Sequence, residues 1–231
     1  KHDRFVDSEE RETYFPKTEH VEFLAREALH SRFMHLDRTF SYNGAQLFGI
    51  RSCNGYDSLL PRSITKLYAG QQGEKVHGRM NKIHFDNPSG NIPGILGIDY
   101  VLCARELPDQ DWTLVDEKRE KVYVRRNYRD FQFLESALVR LYSRKQRINR
   151  AWIEEAWEDT EKRPAVLLPD PSGDRVAFLS DGINEVNLAV DSASGGLLVL
   201  CDTDYPGWRV HVNGEEQPIL IVNGFARGVV V

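Results

Sequence analysis

Two Asn-Gly pairs, Asn213-Gly214 and Asn223-Gly224, sit between short apolar runs in the last third of the chain and constrain its local fold more than any other feature. Asn-Gly is the strongest short hairpin signal, because a tight two-residue turn needs positive φ at both central positions. The runs around them read as strands: Ala165–Leu168, Arg175–Leu179, Glu185–Val190, Leu197–Asp202, Trp208–Val212, Pro218–Val222 and Phe225–Val231. Short strands at this spacing predict an antiparallel β-sandwich over 163–231.

The first part of the chain mixes periods. Residues 1–15 are polar and form a loosely held entry. Beyond Pro16 and Thr18, Val21, Phe23, Leu24 and Ala28 fit one helix face, with Glu19 near the positive end of the helix dipole. Arg32–Leu36 suits a short strand. Pro61 opens a second helix on Ile64, Leu67 and Tyr68, and Gly70 ends it. Residues 70–94, rich in Gly, Asn and Pro, read as a long loop. Ile98–Cys103 is a continuous apolar run, hence a buried strand. Trp112–Val115 and Lys121–Val124 alternate, with Asp116–Glu120 as the hairpin loop between them. Residues 128–162 then place Phe131, Leu134, Leu138, Leu141, Tyr142, Ile148, Trp152, Ala156 and Trp157 at helical spacing. The fold class is therefore α+β: a mixed α/β subdomain at 1–127, a helical insertion at 128–162 and a β-sandwich subdomain at 163–231.

At 231 residues the chain suits one large domain or two small ones, and 41% apolar with 28% charged residues marks a folded protein. A net charge of −5 excludes a whole-chain basic footprint for nucleic acid. The cysteines Cys53, Cys103 and Cys201 are odd in number and cannot all pair internally. Cys103 and Cys201 lie in apolar runs and read as buried thiols, with one bridge left open. These residues contain no signal-peptide pattern and no apolar run of about 18 residues, the length a membrane helix needs. The start at Lys1 and the close inside the apolar pattern Gly228–Val231 give the expectation of a piece of a longer polypeptide.

Charge is segregated. Arg125, Arg126, Arg129, Arg140, Arg144, Lys145, Arg147 and Arg150 face only Asp130 and Glu135, and the acidic run Glu154, Glu155, Glu158, Asp159 and Glu161 follows. Guanidinium forks pair well with phosphate, so Arg140, Arg144, Lys145 and Arg147 are candidate contacts to anionic lipid. The alternative is a solvated face paired with the acidic run.

The familiar catalytic signatures are missing: no zinc-binding His or Cys spacing, no phosphate-binding Gly-Lys-Ser/Thr loop and no nucleophile elbow. His77 and His84 read as exposed loop histidines. Asp202-Thr203-Asp204 has the spacing of a carboxylate pair that chelates a metal-nucleotide, or is a polar strand end turning into Pro206-Gly207. In Gly55-Tyr56-Asp57 a ring and a carboxylate can hold a sugar face and its hydroxyls, or Asp57 bonds local backbone while Tyr56 packs. Tyr205 and Trp208 flank the Pro-Gly turn, where they can stack on a sugar, or Trp208 plugs the sandwich core. No catalytic residue, metal or cofactor is assigned to the chain.

Several motifs occur in an order that resembles the YfhO family of bacterial membrane proteins. They are Gly55-Tyr56-Asp57 followed by Pro61-Arg62, then Leu96–Leu102, the alternating stretch Trp112–Val124, and Gly196–Gly214 with Asp202, Tyr205-Pro206-Gly207-Trp208 and Asn213-Gly214. Asn223, Phe225 and Arg227 continue the likeness. Residues 128–162 depart from the family pattern, leaving only Asn127 and Arg163-Pro164-Ala165 recognisable. The resemblance implies a polytopic parent with a GT-C-like architecture, moving a sugar from a polyprenyl-phosphate carrier to a cell-envelope acceptor, its catalytic carboxylates in the membrane part. This chain is then an extracytoplasmic domain that binds or positions the acceptor, with Tyr56, Asp57, Arg62, Asp204, Tyr205 and Trp208 as candidate substrate contacts. The implied partners are the transmembrane part of the same polypeptide, the membrane surface, and a glycolipid or envelope glycopolymer. The alternative is a non-catalytic carbohydrate-binding or structural module.

Overall fold

The computed structural model describes residues 15–56, 61–72, 82–83, 85, 87–90, 92–124, 133–145, 150–151, 166–167 and 173–231. In chain order they form α1 (Glu19–Glu27), β1 (Arg32–His35), a 3-10 turn (Gly44–Phe48), β2 (Gly55–Tyr56), α2 (Arg62–Gln72), β3 (Lys82–Ile83) and α3 (Ile92–Ile95). Strands β4 (Ile98–Cys103), β5 (Trp112–Val124), β6 (Phe133–Arg144), β7 (Arg150–Ala151) and β8 (Val166–Leu167) follow. The chain finishes with β9 (Arg175–Asp181), β10 (Val186–Asp191), β11 (Leu197–Thr203), β12 (Val210–Val212), β13 (Glu215–Gln217), β14 (Leu220–Val222) and β15 (Ala226–Val230). The protein is rich in β-structure, with few helices. Two compact units are formed, one within Lys1–Leu60 and Lys75–Gln146, the other within Pro61–Glu74 and Arg147–Val231.

The first unit is built on a four-stranded sheet in the order β1-β4-β6-β5. β1 runs parallel to β4, and β6 pairs antiparallel with both β4 and β5. Thr18 starts α1 by accepting the Val21 amide at 3.4 Å, the N-cap bond that satisfies one orphan donor. Glu19 and Glu22 in its first turn and Arg26 in its last complement the helix dipole. Val21, Leu24 and Ala28 of this helix segment meet Phe33, Leu102, Leu141, Val139 and Val122 of the sheet in one core. The other sheet face buries Met34, Val101 and Tyr142. Trp112 is sealed in, and its indole N–H donates to the Pro88 carbonyl at 3.2 Å.

Three local expectations are corrected here. Phe133–Arg144 is a strand, not part of a helical insertion. Its period-2 pattern prevails: Val139 and Leu141 point to the helix-covered core, and Arg140 and Tyr142 point the other way. Trp112–Val124 is one continuous strand, so Asp116–Glu120 is not a loop; each of these residues lies opposite a β6 residue. The hydrogen-bonded ladder with β6 outweighs the charge of the segment, a tertiary override of local propensity. The second helix runs through Gly70 to Gln72, and the region expected as a long loop also holds β3 and α3.

In the second unit, described by itself, the expected strands are present but pair as separate small sheets. β9 pairs with β10, β11-β15-β14 form a three-stranded sheet, β12 pairs with β13, and β7 with β8. Asn213 and Gly214 take φ of 53° and 89°, the positive pair that a two-residue hairpin between β12 and β13 demands. Asn223 and Gly224 also take positive φ, 53° and 77°, between β14 and β15. Val222, Phe225, Ala226 and Val229 are buried along this hairpin.

Candidate functional site

Three sequence-nominated residues of the second unit, Asp204, Tyr205 and Trp208, lie on the turn that leaves β11. Leu200 pairs with Arg227 and Thr203 with Ala226, so Cys201 and Asp202 fall in an irregularity of the ladder. There the Asp202 carboxylate reaches across to Arg227, Oδ2 to Nη2 at 3.2 Å. The Asp204 amide donates to the Phe225 carbonyl at 2.7 Å and pins the exit of the strand. Pro206-Gly207 then turns the chain back, with Gly207 at a φ of 107° that a side chain rarely adopts. The turn lays the Trp208 ring against the Arg227 guanidinium, 4.0 Å from ring centroid to Cζ.

Arg227 is only 9% exposed, so this charge is held by a carboxylate on one side and a π face on the other. Such a stack is worth about 0.5–2 kcal/mol, more as it is desolvated. Trp208 is half-buried rather than a core plug. Tyr205 is 52% exposed at the tip. The turn thus carries an accessible phenol ring at Tyr205, a half-buried indole at Trp208 and the acidic Asp204 within five residues. Asp202, the first member of the Asp-x-Asp pattern, is instead engaged by Arg227. Arg227 and Asp202 were not among the nominated contacts. The signal that could have found them is the Asn-Gly turn at 223–224, which sets β15 antiparallel to β14 and thereby fixes the face on which Arg227 lies.

The first unit contains the other concentration of charged groups. Asp116, Lys118 and Glu120 share one face of β5 at period 2, under the N-terminal turn of α1. His20 is 1% exposed, with Nδ1 at 3.0 Å from Glu120 Oε2 and Nε2 at 3.8 Å from Asp116 Oδ2. Its backbone N–H donates to Glu120 Oε1 at 3.0 Å, so Glu120 also caps the helix. Burial pulls the Glu120 carboxyl upward, but the adjacent His20 ring and backbone N–H, with Thr18, outweigh it and leave the group below its ordinary range. Lys118 bridges Glu19 and Asp116. The sealed imidazole cannot meet a substrate, so this cluster ties a helix to a strand.

The remaining nominated residues disperse. Tyr56 lies in β2 of the first unit, paired with Lys82, and Arg62 opens α2 of the second. Their side chains, and Asp57 and Arg147 altogether, lie outside the described residues. Arg140 pairs with Glu117, directly opposite on β5, at 2.5 Å, and with Glu106 at 3.6 Å. Lys145 meets Asp109 at 2.6 Å. Partial burial pulls Arg144 downward, against the pull of Asp99 and Asp111. The positive charges of Arg140 and Lys145 are paired within the unit.

None of the three cysteines forms a disulfide. Cys103 is buried, and desolvation together with the nearby Asp37 carboxylate pushes it up to about 12. Cys201, expected buried, is half-buried because it sits in the β11 irregularity. No helix of the described residues is long and apolar enough to cross a membrane. No family model, no curated protein and no solved structure matches this chain.

Proposed function

We propose that this chain is the extracytoplasmic, glycan-contacting domain of a polytopic membrane protein similar to the YfhO family, assisting transfer of a sugar from a polyprenyl-phosphate carrier by binding or positioning the envelope acceptor. The observation that supports the reading is the Asp202–Arg227–Trp208 stack beside the Pro206-Gly207 turn, next to which Tyr205 is exposed. Aromatic rings and a carboxylate carried on one turn suit the apolar face and hydroxyl edge of a sugar. A sandwich arrangement of 163–231 and the catalytic chemistry of a membrane part belong to the same proposal.

The test is titration of the full chain with envelope glycopolymer and with polyprenyl-phosphate sugar. Saturable binding that Tyr205→Ala removes, with the circular dichroism spectrum unchanged, supports the proposal. Lack of binding to either, with activity of the parent retained after deletion of the domain, overturns it.

A second reading is a structural module that docks onto the rest of its polypeptide. It draws on the β9-β10 hairpin, where Val176, Leu179 and Ile183 are 51%, 71% and 93% exposed. If Leu179→Ser with Ile183→Ser abolishes the parent's function while Tyr205→Ala leaves it intact, this reading replaces the first.

A further inference from the structure

We propose that the chain self-associates through β5, whose outer edge pairs antiparallel with the same edge of a second copy, Arg119 lying opposite its own symmetry mate. This surface belongs to the first unit and does not depend on the glycan reading of the second. β5 runs for 13 residues and is an end strand of the sheet β1-β4-β6-β5. The two ends of that sheet differ. At β1 the segment after the 3-10 turn closes the edge: the Phe33 N–H donates to the Arg51 carbonyl at 3.0 Å, and the Cys53 N–H donates to the Phe33 carbonyl at 3.1 Å. At the other end, β6 is the one strand among the described residues that pairs with β5. A long edge that presents backbone N–H and C=O groups is a template for a further strand.

Charge selects the occupant. Asp116–Lys121 consists entirely of charged residues, and charge on an edge ordinarily repels a second strand. A twofold axis that brings this edge against itself stands perpendicular to the sheet. Residues of one face then meet residues of the same face, and one residue meets its own copy. With Lys118 at the centre, Asp116 faces Glu120. With Glu120 at the centre, Arg119 faces Lys121. With Glu117 at the centre, only Asp116 and Lys118 meet with opposite sign. With Arg119 at the centre, Glu117 faces Lys121 and Lys118 faces Glu120, each pair occurring twice by symmetry. Unlike charges directly opposite stabilise an antiparallel pair and like charges destabilise it, so this register is favoured for a second copy of the chain. Its one repulsive contact is Arg119 against Arg119.

The face away from α1 supplies the new contacts. Lys118 and Glu120 keep the partners they have beneath the helix, Glu19 and Asp116 for the one and His20 for the other, so on that face the register serves to avoid repulsion. Glu117, Arg119 and Lys121 lie on the opposite face and are all exposed. Glu117 pairs with Arg140, but its side chain is 40% exposed and a carboxylate offers more acceptor sites than one guanidinium nitrogen fills. Just before this segment, Leu114 and Val115 are 49% and 39% exposed, apolar surface on the same strand that a paired edge would shield.

The experiment is sedimentation equilibrium of the full chain over a range of concentrations at low ionic strength. The expected result is a reversible monomer–dimer equilibrium. Lys121→Glu places Glu117 against a second carboxylate at two symmetric positions and should weaken the dimer about tenfold. Arg119→Thr removes the like-charged contact at the axis and should tighten it severalfold, an effect that no other register predicts. Both residues are exposed, so the circular dichroism spectrum of each variant should match that of the parent chain. A chain that stays monomeric at every concentration overturns the proposal. So does a dimer indifferent to Lys121→Glu, which associates through another surface, or one that Arg119→Thr fails to tighten. Glycopolymer binding that is lost in Tyr205→Ala stands or falls separately from each of these outcomes.

Discussion

At the scale of single residues, the two buried charged groups Glu120 and Arg227 are each met by a polar partner, Glu120 by His20 and Arg227 by Asp202. Glu120 accepts the His20 backbone N–H and lies 3.0 Å from the His20 Nδ1, and these contacts hold its carboxyl below the ordinary range against the pull of burial. A group whose folded value is depressed adds stability above its unfolded value, near 4.5, and loses it as pH falls toward the folded value. The urea midpoint should therefore drop as pH goes from 6 to below 4, and Glu120→Gln should flatten part of that slope. The same substitution should cost about 1–3 kcal/mol at neutral pH, measured by urea unfolding, because the buried His20 groups lose a charged acceptor. Arg227→Lys tests the stack in the second unit. Lysine keeps a charge for Asp202 but not the planar face over Trp208, so stability should fall by about 0.5–2 kcal/mol, with a changed tryptophan emission.

At the scale of elements, pairing partners decide what local patterns leave ambiguous. The stretch Ser136–Arg144 satisfies a helical spacing through Leu138, Leu141 and Tyr142, and a strand spacing through Val139 and Leu141. It becomes β6 because β4 and β5 flank it and complete its ladder on both sides. The charged centre of β5 is legible afterwards as a row of alternating residues, Asp116, Lys118 and Glu120, lying over one face. The packing of β15 between β14 and β11 is close enough to demand glycine at 228, where an added methyl would collide with Val222 of β14 and lie 3.2 Å from Leu197 Cδ1 of β11. Gly228→Ala should destabilise the second unit by about 1–3 kcal/mol in denaturant unfolding, the usual cost of overpacking. Val222→Ala in the same chain should recover part of that loss.

At the scale of the whole molecule, the first unit is closed by contacts between distant parts of the chain. β1 and β4 are parallel neighbours although an entire 3-10 turn, two short strands and two helices lie between them in sequence. The bond from His20 to Glu120 spans 100 residues. Loop closure must precede the reward from such contacts, so refolding followed by stopped-flow circular dichroism should take milliseconds to seconds rather than microseconds. A dominant microsecond phase that recovers the full signal would count against this topology.

What the residues alone determine here is local: Thr18 starts a helix, Ile98–Cys103 makes a strand, and Asn213-Gly214 makes a turn. Each follows from backbone geometry and apolar period within a few positions. The tertiary structure decides whether Phe133–Arg144 is strand or helix, and which residues Arg227, Glu120 and Arg140 meet. Those outcomes depend on neighbours far along the chain, and no period within one segment encodes them. The turn at Tyr205–Trp208 was legible as a candidate site for the same reason as the hairpins, but its brace was not, because Arg227 reaches it from another strand.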